Sequence, residues 1–304
     1  MSAPIGGQAV LEGVMMRGPS AWSVAVRKPD GVIAEVNRPI TSILLRHRWL
    51  RLPIVRGIVA LGESLSIGFR ALAISANYAA QEEGEDGEVE TELTRGQLLF
   101  AFGIAIGFAL LLFKVSPALL ANWIDGDSTW VFLIIEGCIR VGVLVAYLVV
   151  ISLLPDLKRV FQYHAAEHKA INAYEAGEEL TPETVQKYSL IHPRCGTAFL
   201  LWVMVIGVFV FAFFGKLPWY WLIATRIAFL PVIAGIAYEL IRFAGKHAHN
   251  RIVNTLLAPG LWLQRLTTRE PDLDQLEVSI RALREVLDRE GSLTPADRRV
   301  EVMA

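Results

Sequence analysis

This chain has few cysteines and almost no net charge. The 304 residues contain two cysteines, Cys138 in an apolar run and Cys195 in a polar segment, so a disulfide framework is excluded. The formal net charge is −1 at pH 7, which provides no overall basic field for nucleic acid. We therefore expect no nucleic-acid partner.

Secretion and nucleotide-binding motifs are missing as well. Residues 1–18 lack a charged start followed by an uninterrupted apolar core, which argues against a cleaved signal peptide. No Gly-Lys-Ser or Gly-Lys-Thr follows the glycines at Gly6 and Gly7, so there is no P-loop. We expect the chain to enter a lipid bilayer through its own apolar spans.

Hydrophobic residues, in contrast, are abundant and come in blocks. They make up 54% of the chain, and the mean hydropathy of +0.44 is too high for an ordinary soluble domain. Four blocks each approach the ~20 apolar residues that cross a bilayer. They are residues 98–120, 130–154, 197–215 and 219–243. We predict transmembrane helices 1 and 2 within 97–154 and transmembrane helices 3 and 4 within 197–243.

The placement of lysine and arginine orients these helices. Basic residues are frequent before the first span, between the second and third, and after the fourth. The loop at 116–129 carries Asp125 and Asp127 but no base. The positive-inside rule therefore places both termini, and the segment 155–196, in the cytoplasm.

The N-terminal residues, 1–51, predict a small cytoplasmic unit. Two β-prone runs, 22–27 and 32–36, flank a turn signal at 28–31 and predict a hairpin. The glycine-containing stretch 6–13 predicts a loop that either approaches a ligand or packs closely on another domain. The predicted fold class is an all-α polytopic membrane protein with this hairpin-containing unit and a metal-organised cytoplasmic face.

The segment that follows is apolar at helical spacing but also charged. Residues 52–78 include Arg56, Glu63 and Arg70, and three charges argue against a span. We predict an amphipathic helix on the membrane surface. The acid-rich stretch 79–96 is then a solvated linker.

The tail, residues 244–304, predicts one further amphipathic helix. Start signals near Asp272 precede a helix that runs to about Glu290. Its apolar stripe consists of Leu273, Leu276, Ile280, Leu283 and Leu287. We expect this stripe to pack on the cytosolic unit or on a protein partner, including a second copy of the chain.

The polar segment 162–199 carries the main chemical signal. His164 and His168 are one helical turn apart, which is the spacing that presents two imidazoles to one metal ion. The run from His192 to Cys195 resembles a zinc knuckle with histidine in the first place. Three nitrogens and one sulfur form a tetrahedral set that favours Zn²⁺ over magnesium or calcium.

The same segment spells H-x-x-E-H, an inverted zinc-hydrolase motif with Glu167 as general base on a water that the metal activates. If His192 and Cys195 both bind, the site is closed and structural. If one is displaced, or Glu175 replaces it, a coordination position is open for water. The further candidate ligands or bases are Glu175, Glu239 and Glu12.

Three charged residues, Glu136, Arg140 and Arg226, fall inside predicted spans. An unpaired charge in a bilayer is costly, so each needs a partner. Glu136 and Arg226 are at similar depth from the outer face, and Glu136 and Arg140 are one turn apart. A polar path or substrate groove is one interpretation, and an ion pair that holds the helices in register is the one we favour.

Four motifs in this order resemble the DUF1385, or YqhQ-like, family of bacterial membrane proteins. They are GGQAVLEGVMMRG at 6–18, YHAAEHKAINAYEAG at 163–177, HPRCGTAFL at 192–200 and PGLWLQRLTTREPDLDQLEVSI at 259–280. The resemblance implies a shared architecture and a multi-pass location in the bacterial plasma (inner) membrane. It implies no reaction, since the family is of unknown function and is commonly labelled a predicted metal-dependent enzyme.

Two functional hypotheses follow from these residues. The first is a zinc-dependent membrane enzyme, such as a hydrolase, with Glu167 as its catalytic base and its site at the cytoplasmic face. The alternative is a non-catalytic assembly or scaffold protein with a structural zinc site. A transporter function is a third hypothesis, and only the buried charges support it, because no inverted repeat is visible.

Overall fold

The computed structural model describes residues 4–79, 95–124, 129–215, 217–246 and 250–291. Its strands are β1 (Gly6–Val10), β2 (Gly13–Arg17), β3 (Ala21–Arg27) and β4 (Ile33–Pro39). Its helices are α1 (Val55–Ala79), α2 (Arg95–Leu110), α3 (Ser116–Ile124), α4 (Thr129–Ser152), α5 (Pro155–Ala176), α6 (Pro182–Val185), α7 (Gly196–Ala212), α8 (Trp219–Ala228), α9 (Leu230–Lys246), α10 (Arg251–Thr267) and α11 (Leu273–Gly291). Most of the predicted acidic linker, residues 80–94, lies outside the described residues.

The N-terminal unit forms an antiparallel sheet with strand order β1-β2-β3-β4. The predicted hairpin is the β3–β4 pair, in which Val24 lies opposite Val36. Its turn is closed by the Lys28 amide, which donates to the Val32 carbonyl at 2.9 Å, and Gly31 adopts a φ of +84° there. A glycine suits this position because it has no Cβ to clash in the left-handed region.

The loop predicted across residues 6–13 is instead a second hairpin, formed by β1 and β2. Its turn contains Glu12, which has a φ of 49°. All five residues of β2 are buried, so the strand lacks the polar and apolar alternation by which a half-exposed strand is recognised. The predicted close packing of a glycine on another element is present, because Gly7 lies against α5.

The sheet is covered by helices on both faces. Val14 and Met16 of β2 share one core with Leu283 of α11 and with α5. On the opposite face, Met15 packs in a second core with Ile67 of α1. The result is a three-layer unit, and each aliphatic side chain fully buried in it contributes roughly 1.5–3 kcal/mol. The helix that carries the predicted metal ligands, α5, is therefore part of a packed core.

Three helices are long and apolar enough to cross a membrane, or up to four if the bent pair α8 and α9 is one span. The three are Val55–Ala79, Leu99–Ile124 and Val131–Ser152. The bent pair has a 43° angle between its halves, and α7 is a shorter apolar helix of 17 residues. The expectation of several membrane helices is confirmed in this coarser form.

Helix α1 is the segment for which we predicted a position on the membrane surface. Its length and hydropathy also satisfy the criteria for a span. One face of the helix packs on the sheet through Ile67 and Ala71. Near its start, Arg56 donates from Nε to the Glu239 carboxylate of α9 at 2.6 Å. The surface position remains a prediction, and the packing of α1 on the sheet supports it.

The two helices of the tail pack on different parts of the molecule. Helix α10 lies along α7, and a Cβ added at Gly260 would lie 2.9 Å from the Cβ of Ala198. Helix α11 presents Leu276, Ile280 and Leu283 to the sheet and to α5 of the same chain. Apart from Leu273, which is 46% exposed, the apolar stripe predicted for α11 is thus covered by the N-terminal sheet and α5 of the same chain, which was the first of the two alternatives.

Candidate metal centre

Helix α5 places both predicted histidine ligands on one face. Pro155 lies in the first turn of the helix, where its missing N–H is not needed, and Gly177 ends the helix in the left-handed conformation with a φ of 77°. Between these ends the helical spacing stacks His164 and His168, whose ring centroids are 4.4 Å apart. The spacing seen in the sequence therefore produces the expected pair of neighbouring imidazoles.

Cys195 joins this pair from the connection between α6 and α7. It is the N-cap residue of α7, and its amide donates to the His192 carbonyl at 3.3 Å in a tight turn. Its Sγ lies 3.2 Å from His164 Nε2. The start of a helix carries partial positive charge, which favours a negatively charged thiolate at that position.

His164, His168 and Cys195 form a group that could hold a metal ion. One ligand atom from each lies within 4.8 Å of the other two. In an ideal tetrahedral zinc site, neighbouring nitrogen and sulfur ligand atoms are about 3.3–3.6 Å apart, so small side-chain adjustments bring these three into range. Two nitrogens and one sulfur are a donor set that zinc accepts in sites with three protein ligands.

Both histidines of the group are held by backbone carbonyls. His164 Nδ1 donates to the Thr267 carbonyl at 2.8 Å, and His168 Nδ1 donates to the Leu190 carbonyl at 2.6 Å. A carbonyl can only accept, so the proton is on Nδ1 and the lone pair of each ring is on Nε2. Metal-binding histidines are oriented in this way, and the residues therefore fit a zinc ion.

His192 lies next to the group without being part of it. Its ring centroid is 5.9 Å from that of His168, and its Nε2 is 3.6 Å from Glu175 Oε2. This Nε2 is buried and makes no hydrogen bond within the described part of the chain. Burial lowers the pKa of His192, with the Glu175 carboxylate acting in the opposite direction. The imidazole is thus neutral, as a metal ligand must be.

Glu167 lies directly beside the group. Its carboxylate Oε2 is 3.7 Å from His168 Nε2, and its side chain is 5% exposed. Burial raises the pKa of Glu167 to about 7, although His164 and Arg194 act to lower it. Gly7 of β1 covers this side chain so closely that an added Cβ would lie 2.6 Å from Glu167 Cγ. The predicted base is therefore near the ligands and shielded from water.

The remaining candidate residues are placed away from the three ligands. Glu175 pairs with Arg194 as well as His192, and although burial opposes ionisation, these neighbours lower its pKa to about 2. Glu12 pairs with Arg159 at the turn between β1 and β2. Glu239 pairs with Arg56. None of these three acids belongs to the metal-compatible group found among the described residues.

Several supporting residues were not identified from the sequence. Gln264 of α10 accepts from the His192 amide at 3.0 Å and donates to the His192 carbonyl at 2.9 Å, so it holds the knuckle at both backbone groups. Asn172 donates to the carbonyls of Ser189 and Ile191 on the same loop. The sequence signal for Gln264 was its position within a family motif, but the motif did not indicate which residue it would contact.

Comparison with known proteins agrees with the resemblance seen in the sequence. The family model for DUF1385, a protein of unknown function, matches residues 52–289. The uncharacterized protein YqhQ of Bacillus subtilis (strain 168) is 34% identical over 291 residues, which cover 93% of this chain and 92% of that protein. No solved structure gives a significant match. The chain therefore belongs to the DUF1385 family.

Proposed function

We propose that this protein is a zinc-dependent membrane enzyme, with hydrolysis as its reaction class. One observation carries the proposal: three ligand atoms of His164, His168 and Cys195 lie within 4.8 Å of one another, with the carboxylate of Glu167 beside them. Three protein ligands leave one tetrahedral position free, as catalytic zinc sites require. A buried glutamate beside His168 is suited to accept a proton.

The chain's own residues have separate tasks in this proposal. The two imidazoles and the thiolate hold the ion, which when bound would polarise a substrate carbonyl or phosphoryl oxygen and acidify a water molecule. Glu167 accepts the proton of the attacking water at its carboxylate and returns it to the leaving group. Burial of Glu167 under β1 keeps bulk water from competing for that carboxylate.

The proposed location is the bacterial plasma (inner) membrane, with both termini and the metal site on the cytoplasmic side. Several helices are long and apolar enough to span, and the distribution of basic residues orients them. The lipid bilayer is then the main surrounding partner, and nucleic acid is not expected. Association with a second protein through α11 remains a prediction, limited to the face that the sheet does not cover.

A structural zinc site in a scaffold protein is the second candidate. It is favoured by His192, whose buried Nε2 has no hydrogen bond and whose ring centroid is 5.9 Å from that of His168. A rotation of this side chain away from Glu175 would complete a set of three nitrogens and one sulfur. A site closed in this way has no position for water.

Metal content and X-ray absorption of the full chain, purified in detergent, distinguish the two candidates. We expect one zinc per chain, bound by two nitrogens, one sulfur and one oxygen from solvent. Three nitrogens and one sulfur would instead favour the structural site. A protein that holds no stoichiometric metal in any preparation would contradict both.

The Glu167→Gln variant tests the catalytic role. We expect it to retain zinc and to lose about 10²–10⁴-fold in hydrolysis of p-nitrophenyl ester or phosphoester probes, because the proton acceptor is gone. The matched control is Glu179→Gln, which changes an exposed glutamate after the end of α5. Equal probe hydrolysis by wild type and Glu167→Gln would remove Glu167 from the mechanism.

A further inference from the structure

Four charged side chains are buried together among the apolar helices, separate from the metal centre. Lys114 lies in the π-helical turn Leu111–Val115, Glu136 and Arg140 are on α4, and Arg226 is on α8. Their exposed fractions are 5%, 2%, 1% and 0%. Charged residues inside a membrane protein are rare and usually serve a function. We call this group the buried cationic cluster and consider it a candidate binding site.

A single carboxylate is shared between two arginines in the cluster. Arg226 donates from Nε to Glu136 Oε1 at 2.8 Å and from Nη2 to Oε2. Arg140 donates to the same Oε1. The guanidinium of Arg226 also lies 4.0 Å from the ring centroid of Phe211 on α7. Both pairings expected from the sequence are therefore formed, and they occupy three of the about four acceptor positions of the Glu136 carboxylate.

The cations of the cluster exceed its anions. Within the described part of the chain, three basic side chains surround one acid, so the fully charged cluster carries a net charge of +2. Three buried donors have no hydrogen-bond acceptor: Lys114 Nζ, Arg140 Nε and Arg226 Nη1. Buried polar groups are normally paired, and a buried unpaired cation is costly. The cluster is thus incomplete without a further acceptor.

Exposed tryptophans lie at helix ends close in sequence to residues of the cluster. Trp219 and Trp221 at the start of α8 are 62% and 58% exposed, and Trp123 near the end of α3 is 85% exposed. Exposed tryptophans at helix ends are typical of the headgroup level. Arg226 is seven residues beyond Trp219, which corresponds to about 10 Å along the helix.

We propose that the buried cationic cluster binds a phosphoryl oxyanion. Such a group has one or two negative charges, which complement the excess of +2, and several oxygens that can accept from donors on different helices. Lys114 and the two arginines come from three separate helical segments, and a tetrahedral anion has enough oxygens to accept from a donor on each. The oxyanion is either the phosphate of an anionic phospholipid or free phosphate.

Thermal unfolding of the delipidated full chain in detergent tests the proposal. The added probes are phosphatidylglycerol, phosphatidylcholine and inorganic phosphate, each in phosphate-free buffer. We expect phosphatidylglycerol or inorganic phosphate to raise the Tm of the wild type by several degrees. A response to phosphatidylglycerol alone identifies a lipid phosphate, and a response to inorganic phosphate identifies a soluble anion.

The variant Lys114→Met tests whether the shift in Tm depends on the buried cationic cluster. It removes the unpaired cation and keeps the length of the side chain, so we expect the shift in Tm to fall by at least half. The matched control is Lys158→Met, which removes an exposed lysine at the start of α5 and should keep the full shift. An equal shift in wild type and Lys114→Met would overturn the proposal.

Native mass spectrometry of the wild type provides a measurement that does not depend on the variant. Before delipidation, we expect one phosphate-containing molecule bound per chain, in a complex that survives mild collisional activation. Absence of this adduct, together with no Tm response to either anionic probe, would overturn the proposal and leave an ion-pair network that only holds the helices in register.

Discussion

At the scale of single residues, the candidate site depends on a position that has no side chain. Gly7 of β1 lies over Glu167, and the space that its missing Cβ leaves is filled by the glutamate itself. The same carboxylate is held near His168. A residue with no chemistry of its own therefore determines where the proposed base lies.

Replacing Gly7 with alanine should displace Glu167. The added Cβ would lie 2.6 Å from Glu167 Cγ and 2.8 Å from Glu167 Oε1, so either strand β1 or the Glu167 side chain must move. Overpacking of this kind costs about 1–3 kcal/mol in stability. We expect a lower unfolding midpoint and reduced probe hydrolysis, measured on the same purified protein.

The matched control for Gly7→Ala is Gly62→Ala on α1. A Cβ at Gly62 meets nothing within 4 Å, and alanine is the better helix former by roughly 0.5–1 kcal/mol. This control should be neutral or stabilising. A Gly7→Ala protein that unfolds at the midpoint of the wild type would show that β1 does not press on Glu167.

At the scale of elements, α10 supports the candidate metal centre without contributing one of its three proposed ligands. Its Gln264 holds both backbone groups of His192, and the carbonyl of its last residue, Thr267, orients His164. Helix α7 provides Cys195 at its start, and Gly260 lets α10 approach α7 closely. The ligands therefore come from α5 and α7, and α10 keeps them in position.

Replacing Gln264 with alanine should weaken zinc binding. The buried His192 amide would lose its acceptor, and the His192 carbonyl would keep only the Cys195 amide as donor. Residues that orient metal ligands typically contribute 10–100-fold in affinity. We expect a loss of that size in competition titrations against a chelator. The control is Gln275→Ala, an equally buried glutamine on α11 that contacts Asp272 and Gln162 rather than His192.

The Gln264 variant also separates a loss of metal from a loss of fold. Circular dichroism of the variant should retain the helical signal, since the α10 backbone is unchanged. Zinc affinity equal to that of the wild type would mean that the knuckle is held by the rest of the loop, and that α10 acts only as a packing surface.

At the scale of the whole molecule, the candidate metal centre lies where the apolar helices meet the unit that contains the sheet. Helix α5 begins three residues after α4, one of the helices long enough to span a membrane, and then packs under the sheet. Tail helix α11 completes the same core. The ends of the chain, although far from the site in sequence, therefore support the helix that carries its histidines.

Replacing Leu283 with alanine should destabilise this shared core. Leu283 is fully buried between α11, the sheet and α5, and such truncations cost about 2–5 kcal/mol. We expect a lower denaturant midpoint for the unit formed by the sheet, α5 and α11, and faster loss of zinc. The control Leu273→Ala truncates a leucine on the same helix that is 46% exposed, and it should change stability by less than ~0.5 kcal/mol.

A normal unfolding midpoint for Leu283→Ala would contradict the three-layer arrangement. Zinc retention alone would be less informative, because the metal itself stabilises the folded form by mass action. Both proteins should therefore be compared after chelation and again with zinc restored.

Local patterns in the sequence were sufficient for several features of the molecule. The apolar blocks indicated the long helices, because hydropathy reflects the solvent that each residue faces. The β3–β4 hairpin followed from its turn residues, and the pair of His164 and His168 followed from helical spacing. The family assignment followed from four motifs in order. Each of these features depends on residues close together in the chain.

Other features were decided only by the tertiary structure. The sequence predicts a loop where β1 and β2 form a hairpin, because the fully buried strand β2 shows no alternation. Lys114 lies inside an apolar block, and only the packing of the turn Leu111–Val115 on α4 buries it in the same cluster as Glu136.

The choice between His192 and Cys195 as ligands was also decided only by the tertiary structure. His192 and Cys195 are equivalent by spacing, but the turn before α7 directs the sulfur toward His164 and the imidazole toward Glu175. Spacing along the chain limits which side chains can meet. The direction in which each one points is determined by backbone contacts from Gln264 and Thr267, more than sixty residues away, and those contacts exist only once the chain has folded.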